Sequence, residues 1–154
     1  MLLPLFQWFE SMWVAEWIRA STWAFALLEV IHLIGLTILL GTLAVVNLRL
    51  FGVGLRAPHI KDLAEDAWPW TVIGAVVTIG SGVLLFVSEA MKCYLSVPFF
   101  IKIGLLAIAI VFTLMFHKKM TQSDEPSTAS KAGAVLSMAL WFGVGLAGRA
   151  IAFF

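Results

Sequence analysis

The amino-acid sequence predicts an all-α integral membrane protein, a four-helix bundle preceded by an N-terminal amphipathic helix in the membrane interface. Of its 154 residues, 62% are hydrophobic and only 12% are charged, whereas a soluble domain is about half apolar and about a quarter charged. The apolar residues also form four long blocks, each near the ~20 residues that a helix needs to cross a bilayer. We therefore expect the lipid bilayer as the main partner. With a net charge of +1, no nucleic-acid partner is expected.

Residues 1–20 are predicted to lie on the membrane rather than to cross it. Apolar and aromatic side chains recur at helical spacing from Leu2 to Trp17, but Gln7 and Glu10 interrupt any spanning run. No basic residue precedes Arg19, so the segment does not resemble a cleaved signal. This pattern predicts an amphipathic interfacial helix with its tryptophans at the depth of the lipid headgroups. A fifth, imperfect span is the alternative.

Residues 21–154 are predicted to form the bundle. The expected spans cover about 23–48, 70–88, 98–116 and 132–153. Gly52 and Gly54 suit the end of the first helix, and Pro98 suits the start of the third, where a missing N–H costs nothing. The polar stretch 122–131 is expected to be a solvated connection.

Basic residues predict the orientation of the bundle. We call the membrane side on which the first span begins the near side, and the opposite side the far side. The far side carries Arg49, Arg56, Lys61, Lys118, Lys119 and Lys131, and the near side carries Arg19 and Lys92. Because positive loops stay in the cytoplasm, we expect a bacterial inner-membrane protein with both termini in the periplasm.

Small residues in the second and fourth spans predict close helix packing. Gly74, Thr78 and Gly82 recur every four residues in the second span, and the fourth span is rich in glycine. Such stripes allow helices to approach closely within lipid. We expect a homo-oligomer with cyclic symmetry, because all copies insert in one orientation.

Ionisable side chains inside the spans carry the functional interpretation, because a charge within the bilayer is costly. The near half contains Glu29, His32, Glu89, Lys102 and Arg149. Glu29 and His32 are three residues apart and share a helix face, and His32 lies deepest, roughly 12 Å from the start of the helix. Bundle metalloproteins place a carboxylate and an imidazole at this spacing. The pattern predicts that Glu29 and His32 are metal ligands.

A haem b site is the leading interpretation of this cluster, with a transition-metal ion such as copper as the alternative cofactor. His32 would be the axial ligand, and Glu29 would accept the other ring proton. Lys102 and Arg149, nearer the surface, would pair with the haem propionates. A protein of this kind would serve in redox chemistry or electron transfer, with a quinone or a periplasmic electron carrier as its partner.

A second axial ligand is not evident within one protomer. His59 and His117 belong to the far side, and His117 is about 20 Å from His32 in depth. The second ligand would come from Met91, Cys93 or Tyr94, or from a neighbouring protomer across a symmetry axis. As the only cysteine, Cys93 is otherwise interpreted as inert packing.

Two other functional classes remain open. The polar cluster is also typical of a component that transports a proton or a metal ion, and the stripe Lys102, Ala109, Thr113 and His117 would offer a path. Alternatively, the five near-half groups neutralise one another in a structural subunit, since buried charges need partners.

Two motifs in the first span and one in the third resemble a known family. They are Glu29-x-x-His32-x-x-Gly35, Leu48-Arg49-Leu50-Phe51-Gly52, and Phe99-Phe100-Ile101-Lys102. Together they resemble a widespread family of small four-helix inner-membrane proteins of bacteria, whose activity is not established. The resemblance covers about residues 20–120 and implies the four-helix membrane fold. The helix-borne His32 is also similar to the haem ligands of membrane b-type cytochromes, which usually pair two histidines on facing helices.

Overall fold

The computed structural model describes residues 2–51, 59–120 and 127–151, and these residues form helices without strands. The helices are α1 (Leu3–Glu10), α2 (Trp13–Ala20), α3 (Ala24–Leu50), α4 (Ile60–Ser88), α5 (Ala90–Leu95), α6 (Val97–Met120) and α7 (Thr128–Ala150). By length and hydropathy, α3, α4, α6 and α7 could each span a membrane. The all-α bundle with four spanning helices is thus confirmed.

The second spanning helix begins ten residues earlier than the sequence predicts. In α4 the added turns carry the exposed charges Lys61, Asp62, Glu65 and Asp66, so hydropathy alone gives no sign of them. Asp62 lies in the first turn, where a negative charge is favourable. Because these turns carry charges that water can solvate, α4 extends beyond the length that lipid requires.

The last spanning helix also begins before its predicted start. Ser127 caps α7, since its side chain accepts a hydrogen bond from the Ser130 backbone N–H at 3.1 Å, and such caps favour a helix start. The predicted end of this span at residue 153 lies outside the described residues, as do Gly52, Gly54 and residues 122–126 of the polar connection. The rest of the predicted connection, residues 127–131, is the cap and the first turn of α7.

The described part of the N-terminal segment, residues 2–20, forms two short helices rather than one. The helical conformation is interrupted at Met12, whose backbone is extended. Each helix has eight residues, about 12 Å, which is too short for a fifth span. Arg19 connects α1 and α2 to the near end of α4. Its guanidinium donates one hydrogen bond to the Ser88 carbonyl at 2.9 Å and another to the Glu10 carbonyl at 2.8 Å.

The first two spanning helices, α3 and α4, pack against each other most closely. A methyl group placed on Gly74 would lie 2.6 Å from the Leu39 backbone nitrogen, and one on Gly35 would lie 2.8 Å from the Thr78 backbone nitrogen. The two backbones therefore nearly touch, as small residues permit. Helix α7 packs against α6 and also against α3, so the middle of the bundle is closed by side chains of three helices.

The outer surface of the bundle is apolar. Large hydrophobic side chains on all four spanning helices are exposed, including Val76 and Leu146 at 65% and 70%. Four tryptophans of the near end, Trp8, Trp13, Trp17 and Trp23, are each more than half exposed. Lipid contact with these surfaces follows, because an apolar patch of this extent is not left to water.

Candidate functional site

His32 lies in the seam between α3 and α4, in the near half of the bundle. Its Nδ1 is 3.1 Å from the Ser81 hydroxyl oxygen. A methyl group placed on Gly82 would lie 3.1 Å from the ring carbon Cε1, so the absence of a side chain at Gly82 makes room for the imidazole. The ring is half-buried, and its position is thus determined by two residues of α4.

The surroundings of Ser81 favour one tautomer of His32. The Ser81 hydroxyl lies 2.6 Å from the Val77 carbonyl oxygen and 3.2 Å from the Thr78 carbonyl oxygen. When its single proton is donated to one of these carbonyls, the hydroxyl oxygen accepts from His32. In that arrangement the proton of the neutral imidazole is on Nδ1, and Nε2 keeps a lone pair. That lone pair can bind a metal ion or accept a proton.

Lys102 lies beside this site, on α6. Its side chain runs along the backbone of α7, since a methyl group on Gly148 would lie 3.4 Å from Nζ. Lys102 is half-buried and lies, like His32, in the near half of the bundle. In the described ranges, no carboxylate forms an ion pair with Lys102. The four spanning helices thus place an imidazole and an ammonium in the same half of the bundle, and this arrangement suits an anionic group.

Glu29 lies outside this arrangement. It is exposed on the outer surface of α3, because a three-residue step turns a helix by about 300° and moves Glu29 out of the narrow seam with α4. Within the part of the chain that the structure describes, Glu29 makes no ion pair. The hydrogen bond to His32 that the sequence assigns to Glu29 is made by Ser81. Arg149 follows Gly148 and is exposed at the near end of α7.

The remaining near-side charges form surface pairs. Glu89 lies 3.3 Å from Lys92, and Glu10 lies 3.8 Å from Arg19. Exposed pairs of this kind contribute little to stability, about 0–1 kcal/mol. They also leave the charge of Lys102 uncompensated by the acids that were expected to neutralise it.

A metal ion would find few ligands within one protomer. Over the described residues, no group of three histidine, cysteine or acidic side chains could hold a metal ion. Cys93 is buried beside Phe6 and Ala90, and burial raises the pKa of its thiol to about 11. The thiol is therefore protonated at neutral pH, whereas a metal ion binds the thiolate.

A second polar cluster lies in the far half, where the sequence indicates only His117. It surrounds a cavity of about 30 Å³, which we call the far cavity. Its polar and aromatic lining consists of Asn47, Thr71, Thr113, Ser137, Trp68 and His117. The rings of Trp68 and His117 stack with centroids 3.9 Å apart. A single hydroxyl in an apolar span does not indicate a site in a sequence. Asn47 could have indicated this one, since an amide within a span needs a hydrogen-bond partner.

An apolar layer separates the far cavity from the His32 site. It consists of Leu39, Ala109, Trp141 and Val144, all buried. Ala109, in the stripe that suggested a proton path, is fully buried within this layer. The close contact of Gly74 with the Leu39 backbone closes the α3–α4 seam at this depth. The two polar sites are therefore separate in this conformation.

Comparison with known proteins assigns no activity to either site. A family model described as a family of unknown function, DUF6644, matches residues 5–154. No curated protein and no solved structure matches the chain.

Proposed function

This chain belongs to DUF6644, a family of unknown function, and we propose that it binds haem b in the near half of its bundle and takes part in electron transfer. One observation carries this proposal. Ser81 holds His32 by Nδ1, and this leaves Nε2 as a basic, preoriented ligand. Ligating histidines commonly donate their other ring N–H to an oxygen in this way.

The neighbouring residues suit the rest of a haem. Lys102 is a cation at the depth where a propionate would lie, and Arg149 is nearer the membrane surface. Gly82 and Gly148 keep the helix surfaces beside His32 and Lys102 free of side chains. Bound haem would supply one-electron redox chemistry, and the chain would position it and set its electrostatic surroundings. Copper would use the same Nε2, but it would need ligands beyond those of one protomer.

A second copy of the chain would explain the position of Glu29. This side chain is exposed on α3, about 8 Å along the helix from Ala24. An acidic group facing lipid near the bilayer centre costs about 2.5–3.5 kcal/mol, less near the surface, and a polar contact with another copy would remove that cost. We therefore propose a cyclic homo-oligomer in which the outer face of α3, with Glu29, completes the site.

The proposed location is the bacterial inner membrane, with the haem site in the periplasmic half. The excess of basic residues on the far side supports this orientation. A quinone in the membrane or a periplasmic electron carrier would then reach the near half.

Reporter fusions test this orientation. Alkaline phosphatase, which is active only in the periplasm, should be active when fused after Phe154 and inactive when fused at Gln122. Matched fusions to a fluorescent protein that folds only in the cytoplasm should give the opposite result. Activity at Gln122 alone would place the His32 site in the cytoplasmic half.

An absorption spectrum of the purified protein tests the haem assignment. The protein should be expressed with haem precursors and trace metals available, and purified in mild detergent. We expect a Soret band, and we expect a haem content of about one haem per binding site. Stoichiometric copper without a Soret band would select the alternative cofactor. If neither is present, the proposal fails.

Transport of a proton or a metal ion is a second candidate, favoured by the presence of polar sites on both sides of the apolar layer. It requires that layer to open, because Leu39 and Trp141 close it here. Flux into liposomes, measured with a pH-sensitive or metal-sensitive dye, distinguishes this candidate. No cofactor and no flux would indicate a structural subunit.

A further inference from the structure

The far cavity has hydrogen-bonding groups that the helices leave incompletely satisfied. Asn47 is only 3% exposed, lines the cavity, and its amide nitrogen Nδ2 has no hydrogen-bond partner. A buried amide N–H without a partner is costly, because it loses its hydrogen bonds to water and gains none in the protein. Such a group therefore indicates something that accepts its protons.

Thr113 also lines the far cavity and offers a proton. Its hydroxyl oxygen accepts a hydrogen bond from the Trp141 indole N–H at 3.0 Å, and in the described part of the bundle its own proton has no acceptor. Asn47 on α3 and Thr113 on α6 thus both present donors to the same space. The occupant must be an acceptor of hydrogen bonds.

The size of the far cavity limits this occupant. A volume of about 30 Å³ admits one or two water molecules, since a single water needs at least 10–15 Å³ on this scale. It does not admit a quinone ring or a lipid chain. Polar lining from all four spanning helices gives a water the 2–4 partners that it needs.

We propose that the far cavity is a binding site for one or two ordered waters, held by the Asn47 amide and the Thr113 hydroxyl. Water in this site would reach into the far half of the bundle to the level of Thr71 and Thr42, whose hydroxyl oxygens are 3.1 Å apart. It ends at the apolar layer formed around Leu39. It does not depend on a cofactor at His32, so each proposal can fail without the other.

Two substitutions with opposite expected effects test the site. Asn47→Leu replaces the amide with an apolar group of similar shape and removes the anchor of the water. If the cavity holds water, this change leaves the Thr113 proton unpaired and lowers the melting temperature by a few degrees. If the cavity is dry, the same change removes an unpaired amide and raises the melting temperature.

Thr78→Val is the matched control. The Thr78 hydroxyl also lacks a hydrogen-bond partner among the described residues, but it packs directly against Gly35 and does not line the far cavity. The melting temperature of Thr78→Val should stay unchanged or rise. An increase for both variants would overturn the proposal.

A second measurement does not depend on stability. Water-edited solid-state NMR of the intact protein in lipid vesicles detects magnetisation that passes from water to nearby protons. We expect rapid transfer to the Asn47 side-chain amide, and at least fivefold slower transfer to the Leu39 backbone amide in the apolar layer. Equally slow transfer at both positions would overturn the proposal, whatever the melting temperatures.

Discussion

His32→Ala is expected to abolish the Soret absorption of the purified protein. The substitution removes the one histidine that lies in the near half of the bundle, since the other two, His59 and His117, belong to the far side. Lys102 would remain to pair with a propionate but would not bind the iron. Insertion into the membrane should be unaffected, because removing a polar group makes α3 more apolar. Haem content per protein, measured by absorption and by mass spectrometry, checks this result.

His117→Ala is the matched control for His32→Ala. His117 stacks on Trp68 in the far half, beyond the apolar layer, and its loss should leave the haem content unchanged. A Soret band that survives His32→Ala but disappears with His117→Ala would place the ligand on the wrong side and reject the proposed site.

Ser81→Ala refines the same prediction. It removes the acceptor that holds the Nδ1 proton of His32 and should weaken haem binding about 10–100-fold, as changes behind a ligand typically do. Glu29→Gln should leave haem binding intact in a monomer, because Glu29 is exposed on α3. If it weakens binding in the oligomer, Glu29 acts across the subunit interface.

Gly74→Val is expected to have the largest effect on stability. A methyl at this position would lie 2.6 Å from the Leu39 nitrogen and 3.0 Å from the Gly35 carbonyl oxygen. Both atoms belong to the backbone, so no side chain can rotate away, and α3 must separate from α4. Overpacking typically costs about 1–3 kcal/mol, and we expect a loss at the upper end of this range or beyond it. Denaturant titration of the helical signal in detergent measures the change.

Gly80→Val is the control, because Gly80 lies in the same helix with no atom within 4 Å of an added methyl. Both substitutions change helix propensity alike, so the difference between them isolates the contact with α3. Equal stability of the two variants would contradict the close approach of α3 and α4.

The surroundings of His32 were only partly recognisable from the sequence. The expected depth of His32 and the expected far-side position of His117 follow from counting residues along apolar helices. In the structure, His32 contacts Ser81 and His117 stacks on Trp68, in different halves of the bundle. Ser81 was expected only as part of a packing stripe, because nothing in the sequence indicates which helix face meets His32. The pairing of Glu29 with His32 was inferred from their spacing. One helix face is wider than the α3–α4 seam, so two residues on the same face need not both lie in the seam.

The sequence by itself determined that the chain has four apolar helices long enough to span a membrane, because transfer of a segment into lipid depends on its own composition and length. The tertiary structure decided how far α4 extends beyond the spans, where charged turns are exposed outside the apolar core. It also decided the rotation of each helix, and thereby that His32 meets Ser81, that Glu29 faces outward and that Asn47 lines a cavity. Rotation depends on which distant backbones can approach, and at Gly35 and Gly74 that approach is set by contacts between two helices rather than by the composition of either one.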